Sequence, residues 1–515
     1  MTAALHARMR TCPSPHPDRD LSVFPVEQAP FASIDAIHAA YLRGELSAEV
    51  LVEVCLARID RFDRQGPGIN AVTVQNPEAL RTARRLDEDL RRGRPIGRLH
   101  GIPVLVKDQI ETAGIETTFG SAAMRGYVPD RDATVVTRLA SAGAIVLAKS
   151  AMPDFAASWF SLSSRTGHTR CPWNLERDAG GSSSGSAAGV AAGFAPIAIG
   201  EDTGGSVRIP AAYNNLVGVR VTTGLVSRSG MAPLVASQDT AGPITRTVAD
   251  AATVLDVLVG FDPADPATRA CLRPDVARGG YRAALRPAAL RGARLGLLAE
   301  ALAGVDDETT SPVSRVFAAA LSRLEDCKAI VVPVSVEDLA DRLQETSLYL
   351  YRSRSDIDDF LSRRPVPFRD VASIVRAGLF DQSLDLLRAI AECDPEPAEL
   401  RKREAAQQDL RARLVGVMQA HELDALCFPT TPGIAPTSEE LRRGDVRTQS
   451  FRTNTIVAAQ SGLPAITVPA GLTSLGIPVG LELIGRPFSE RSLLSLASGV
   501  EAASSSPVVP PTTPC

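Results

Sequence analysis

The sequence predicts an α/β fold: a single large domain with a mixed, mostly parallel central sheet covered by helices on both faces. Three observations predict it. Residues 101–108, GIPVLVKD, hold an unbroken apolar run, the pattern of a strand buried on both faces. A helical pattern over 132–141 and a second apolar run at 144–148 follow, giving the strand–helix–strand rhythm of parallel pairing. The 515 residues are 44% hydrophobic and show neither an internal repeat nor a linker, so one large core is expected.

The elements follow in order. Residues 1–30 read as a poorly ordered lead-in. Two helices are expected from Ser33, the second capped by Ser47, with Leu51, Val54, Cys55, Ile59 and Phe62 on one face. Residues 81–92 form a charged helix. The stretch 178–210, DAGGSSSGSAAGVAAGFAPIAIGEDTGGSVRIP, reads as loop, short helix, buried strand, loop. Residues 213–250 are rich in turns, and a helix is expected at about 247–259. Residues 280–420 read as helical, and 423–428, 465–469 and 480–484 as strands. The Pro/Ser/Thr tail from Ser504 is expected to be disordered.

Composition removes several function classes. The formal net charge is −4, without the basic face a nucleic-acid binder needs. Arg91, Arg92 and Arg94 read as a solvated surface. Eight cysteines lie scattered with no CxxC, which suits reduced thiols better than a disulfide frame or a zinc site. The first twenty residues lack the apolar core of a signal peptide, and no apolar run reaches membrane-spanning length. A cytoplasmic protein without metal, membrane or nucleic-acid partner is expected, with a homodimer left open.

The stretch 178–210 carries the chemistry. It lacks the Gly-Lys-Ser/Thr of a phosphate loop and the GxGxxG of a dinucleotide site. Two Gly/Ser loops joined by a helix and a strand return to one side of a core, so Ser182 and Ser206, 24 positions apart, can face one another. Gly204 and Gly205 would let backbone N–H groups approach an oxyanion beside Ser206. A serine needs a base. Six histidines are present; His100 and His168 lie nearest, but no GxSxG elbow surrounds Ser206. Lys107, at the end of the first buried strand, could serve if burial favoured its neutral form. The same position suits a lysine that snorkels out or pairs with Asp108, the commoner case.

These residues resemble the amidase signature family. GGSSSGSAAG…GEDTGGSVRIPAA is similar to its defining segment, and GIPVLVKDQIETAG…TTFGS to its lysine-bearing one. The likeness continues through RDATVVTRLASAGAIVLAKSAMPDFA, VGVRVTTGLVSRSG and QDTAGPITRTVADAA, and resumes in FPTTPGIAPT…TNTIVAAQSGLPAITVPAG…GIPVGLELIGR. The resemblance implies a Ser–cis-Ser–Lys triad. Ser206 would be the nucleophile, Ser182, behind a cis peptide, the proton relay, and neutral Lys107 the base. Backbone N–H groups of Thr203, Gly204, Gly205 and Ser206 would form the oxyanion hole. Ser183 and Asp202 would stand behind them, with Arg208 bracing the loop. It also implies a small-molecule amide as substrate, an acyl-enzyme, and no cofactor. The alternative is the A subunit of a glutamine-dependent amidotransferase working with partner subunits, or acyl transfer in a biosynthetic pathway. Ser184, Asp178-Ala179 and Cys171 depart from the commonest pattern without touching the triad.

Overall fold

The computed structural model describes residues 24–94, 96–277, 279–302, 311–504 and 509–515. Thirteen strands occur among them: β1 (Val72–Gln75), β2 (Pro103–Lys107), β3 (Ile145–Ser150), β4 (Arg170–Cys171), β5 (Asn174–Asp178), β6 (Ile197–Asp202), β7 (Val217–Arg220), β8 (Thr240–Thr245), β9 (Arg294–Leu298), β10 (Ile330–Val334), β11 (Ala425–Pro429), β12 (Ala465–Leu472) and β13 (Pro478–Ile484). Eleven form one sheet in the order β1-β3-β2-β6-β8-β7-β12-β13-β11-β9-β10, while β4 and β5 make a separate ribbon.

The sheet is mixed, as expected, but parallel pairing is the smaller share. Neighbours run parallel at β2/β3, β2/β6, β9/β11 and β9/β10. Every other contact is antiparallel. The antiparallel centre comes from β7 and β8, which lie in the stretch read as turns. Their short sequences, VGVR and TAGPIT, carry Gly and Pro that mimic turn signals. Likewise β9 and β10 interrupt the region expected to be helical throughout.

Local expectations at the amino-terminal end are met by side chains. Ser33 accepts from the Ala36 N–H to cap helix Ile34–Arg43, and Ser47 from the Val50 N–H to cap Ala48–Arg58. Leu51, Cys55, Ile59 and Phe62 are buried. Of the expected lead-in, residues 1–23 lie outside the described residues, and Val26–Phe31 is instead a 3₁₀ helix with Ala29 and Pro30 buried. The far end also differs from expectation. Residues 505–508 lie outside the described residues, but Thr513 is buried, and Arg58 donates to the carbonyls of Thr513 and Pro514. A buried guanidinium needs acceptors, and the tail supplies them.

Two packing features position the site. Val104, Leu105 and Val106 of β2 pair in parallel with Ile197, Ala198 and Ile199 of β6. That register brings the carboxyl ends of both strands together, where open sheets place their sites. Helix Ser184–Ala191, made almost wholly of Ser, Gly, Ala and Val, then lies unusually close to the sheet. A Cβ on Gly185 would stand 2.1 Å from the Ala71 carbonyl oxygen, and one on Gly189 2.4 Å from a Leu105 methyl. The loop carrying Ser182 is thereby held against the end of β2.

Candidate active site

Lys107 ends β2 and is fully buried, as is Ser182. Its Nζ donates to Ser182 Oγ at 2.8 Å and to the Glu201 carbonyl at 3.2 Å, and it pairs with Glu201 Oε2 at 3.2 Å. Lys107 neither snorkels outward nor pairs with Asp108. The Asp108 carboxylate instead accepts from the N–H groups of Thr118 and Gly120 and from the Thr118 hydroxyl. Burial lowers the Lys107 pKa from the ordinary lysine value; Glu201, then Asp202 and Asp239, oppose the shift.

The Gly181–Ser182 peptide is cis. Around it the loop is held by main-chain and carboxylate contacts. Gly181 donates to the Trp159 carbonyl at 2.7 Å, and Gly180 to Asp178 Oδ1 at 2.7 Å. Ser183 donates its N–H to the Ser206 carbonyl at 3.0 Å, tying the Ser182 loop directly to the second serine. The Ser183 hydroxyl donates to the Glu201 carbonyl and accepts from the Glu201 N–H, each at 3.2 Å. Ser183 thus stitches its loop to β6 from behind.

Ser206 sits on the turn that follows β6 and is 1% exposed. Asp202 shapes this turn. It accepts from the Gly205 N–H at 2.9 Å and the Val207 N–H at 3.1 Å, and is gripped by Arg208 and Arg220. Burial pushes the Asp202 carboxyl up, but the two guanidinium groups outweigh it and hold the group below the ordinary carboxylate range. Because Gly205 directs its N–H to Asp202, it is removed from the set of expected oxyanion donors. Thr203, Gly204 and Ser206 have N–H groups with no acceptor among the described residues. Each belongs to a peptide whose carbonyl is anchored. Arg220 holds the Asp202 oxygen, Gln238 Nε2 that of Thr203, and the Ile209 N–H that of Gly205. Fixed carbonyls fix the direction of the N–H at the other end of the peptide plane. Such preset orientation is what oxyanion stabilisation requires.

Gly205 is also a steric necessity. Its φ is +125°, and a Cβ there would lie 2.1 Å from Thr455 Oγ1, which donates to the Gly204 carbonyl. Gly205→Ala is expected to cost about 1–3 kcal/mol of stability and roughly 100-fold in activity. Thermal unfolding beside initial rates would check both; wild-type rates in the variant would refute the turn's rigidity.

Aromatic rings stand against both loops. A Cβ on Gly204 would fall 1.8 Å from Tyr349 Oη and 3.4 Å from Trp159 Nε1. Trp159 meets Tyr349 edge-on at 6.0 Å, and Phe451 packs on both Trp159 and Phe160. Tyr349 begins helix Tyr349–Ser362, which brings one helix of the 280–420 region against the Ser206 turn.

The histidines stand elsewhere. His168 Nε2 contacts Asp178 Oδ2 at 3.1 Å, behind the Ser182 loop, and His38 Nε2 contacts the His100 carbonyl at 3.0 Å. Among the described residues no histidine hydrogen-bonds Ser206. Sequence reasoning missed Glu201, Gln238, Asp239, Arg220, Tyr349 and Thr455. Only Glu201 had a local signal. Two adjacent acids ending an apolar strand must face opposite sides, and each then needs its own buried partner. No group of His, Cys, Asp and Glu among the described residues could hold a metal.

Known proteins resemble this chain in sequence and fold. A family model described as Amidase matches residues 51–494. The A subunit of glutamyl-tRNA(Gln) amidotransferase from Carboxydothermus hydrogenoformans is 36% identical over 480 residues, covering 89% of this chain and 94% of its own. The solved peptide amidase of Stenotrophomonas maltophilia is 35% identical, covers 94% of this chain and 99% of its own, and superposes with a TM-score of 0.83. The solved A subunit of glutamyl-tRNA(Gln) amidotransferase from Thermotoga maritima is 28% identical, with coverages of 94% and 95% and a TM-score of 0.66.

Proposed function

Because the chain belongs to the amidase signature family, we propose that it cleaves the C–N bond of a small carboxylic amide through an acyl-enzyme on Ser206. The observation that carries this reading is the buried 2.8 Å contact between Lys107 Nζ and Ser182 Oγ beside a turn of anchored, unpaired N–H groups. In the neutral form of Lys107 that contact reverses, and the Ser182 hydroxyl donates to the amine. Ser206 Oγ attacks the amide carbon. Its proton passes to Ser182 as the Ser182 proton passes to Lys107. The carbonyl oxygen becomes an oxyanion facing the N–H groups of Thr203, Gly204 and Ser206. The lysine proton then returns through Ser182 to the leaving nitrogen, the C–N bond breaks, and amine or ammonia departs. Water repeats the sequence to release the carboxylate. No metal or organic cofactor enters these steps.

Two readings share this chemistry. The first is a self-sufficient hydrolase. It is supported by the closer superposition on the peptide amidase than on the amidotransferase structure. The rings of Trp159, Phe160, Tyr349 and Phe451 beside the turn suit an apolar or aryl acyl group. The second is the A subunit of a glutamine-dependent amidotransferase, which the names of the curated relatives support more directly than the first. Such a protein would release ammonia from glutamine for a partner and be feeble alone.

A fluorophosphonate probe, with the adduct mapped by mass, tests the shared step; hydrolysis of capped peptide amides and anilides against glutamine separates the readings. The first predicts labelling at Ser206 and turnover of the apolar amides by the purified chain. Labelling with ammonia release only from glutamine, and only with partner subunits, would establish the second. Labelling at another serine would overturn both.

A further inference from the structure

Among the described residues Glu201 is the one buried acid that touches Lys107 Nζ, and no step of the proposed reaction uses it. Its two oxygens do different things. Oε2 pairs with Lys107 Nζ, while Oε1 accepts from the Thr203 hydroxyl at 2.8 Å. The Thr203 hydroxyl also lies 2.6 Å from Asp239 Oδ1. All four side chains are buried. A hydroxyl has one proton, so Thr203 links the two carboxyl groups and donates fully to one of them at a time. Asp239 also accepts from the N–H groups of Leu234 and Val235. Burial, then the charge of Glu201, push its carboxyl well above the ordinary range. The contacts run in a chain from Asp239 through Thr203 to Glu201 and on to Lys107.

The other charged groups around Lys107 are already engaged. Asp202 is gripped by Arg208 and Arg220, and Arg208 also binds Glu482. Asp108, the next residue, is turned to Thr118 and Gly120, and Lys149 on the neighbouring β3 is turned to the Ile110 carbonyl. Tyr349 is the remaining titratable neighbour, held neutral by burial. Among the described residues Glu201 is the acid in contact with Lys107 Nζ, and so the one placed to answer a charge on it.

We propose that Glu201 is a fourth member of the proton-transfer chain, a positioning residue whose carboxylate orients Lys107 and stabilises the ammonium that forms on it when Ser206 attacks. This rests on the assignment of Ser206, Ser182 and Lys107 above. The balance is simple: Lys107 gains the proton that leaves Ser206 by way of Ser182, and Glu201 keeps its charge and strengthens its hydrogen bond to the new ammonium. When the proton returns to the leaving nitrogen, Lys107 is neutral again. The carboxylate makes the buried lysine a stronger base than burial alone would allow.

The test is the pH dependence of Ser206 labelling by a fluorophosphonate in the full-length protein. Wild type, Glu201→Gln, Asp239→Asn and Ser206→Ala are compared, with folding checked by circular dichroism. Removing the negative charge beside Lys107 favours its neutral form. The midpoint of the rising limb in E201Q is therefore expected to move down by about one pH unit or more. Because a weaker base transfers protons less well, its plateau rate falls roughly tenfold or more. Structural damage lowers the plateau without moving the midpoint. Asp239 acts on Lys107 less than Glu201 does, so D239N shifts the midpoint by less than E201Q. An unmoved midpoint in E201Q, or a shift in D239N as large as that in E201Q, overturns the proposal; if E201Q does not fold, Glu201→Met, which also removes the charge, is read in its place. Folded wild type unlabelled at Ser206 at every pH would instead remove the nucleophile assignment, and this inference with it.

Discussion

Ser206→Ala is expected to lower kcat for amide cleavage by on the order of 10⁴–10⁶-fold while leaving the fold intact. The hydroxyl is replaced by a smaller apolar group at a turn held by contacts that do not use it. Gly205, Val207 and Arg208 bind Asp202, the Ile209 N–H binds the Gly205 carbonyl, and Thr455 binds that of Gly204. Lys107→Ala is expected to fall by a similar factor, since nothing else in contact with Ser182 Oγ among the described residues can take its proton. Members of one proton chain act as a unit, so the double variant should be little worse than either single one. Single-turnover acylation with an activated amide, beside thermal unfolding, measures this. Losses that multiplied in the double variant would show two independent contributions and break the proposed relay.

The second large effect is on stability. Arg208 is fully buried between Asp202 and Glu482. Arg208→Met keeps much of the volume and leaves two carboxyl groups without their main counter-charge. Breaking such a buried network by removing one partner costs about 3–5 kcal/mol, read as a lower urea midpoint of the first unfolding transition. The pH dependence has a definite sign. Asp202 is depressed below its unfolded value of 3.8. Its contribution is therefore complete above that value and is lost as pH falls through the folded pKa. In R208M the depression relies on Arg220 and the Val207 N–H, so less stability remains to be lost below pH 3.8 and the acid dependence should flatten. A urea midpoint unchanged at neutral pH would mean that Arg220 suffices, and that Arg208 does not hold the turn.

The reach of the sequence can be judged residue by residue. The apolar run before Lys107 identified β2 because five consecutive buried positions cannot be mistaken for a half-exposed element. Ser33 and Ser47 were legible as caps because capping is a contact over three residues. The Gly/Ser loops stood out because φ values such as that of Gly205 admit little else. By contrast β7 and β8 were hidden. Their burial is enforced by neighbours far along the chain rather than by their own composition, and Pro243 within TAGPIT argued against a central strand. The tail from Ser504 read as disordered because its composition is that of free chain. It is held through Arg58, more than four hundred residues away.

By itself, then, the sequence determined which groups can do chemistry and where the backbone may turn: two serines on glycine-permitted loops, and a lysine at the end of a buried strand. Tertiary structure decided their charge states and aim. Lys107 is weakened as a cation because the sheet and the Ser184–Ala191 helix close water away from it, and steadied because the register of β2 on β6 sets Glu201 beside it. The N–H groups of Thr203 and Gly204 are aimed because Arg220 and Gln238, outside the loop in sequence, hold the carbonyls of their peptides. Desolvation and the distance between charges set a pKa, and neither is a property of local sequence.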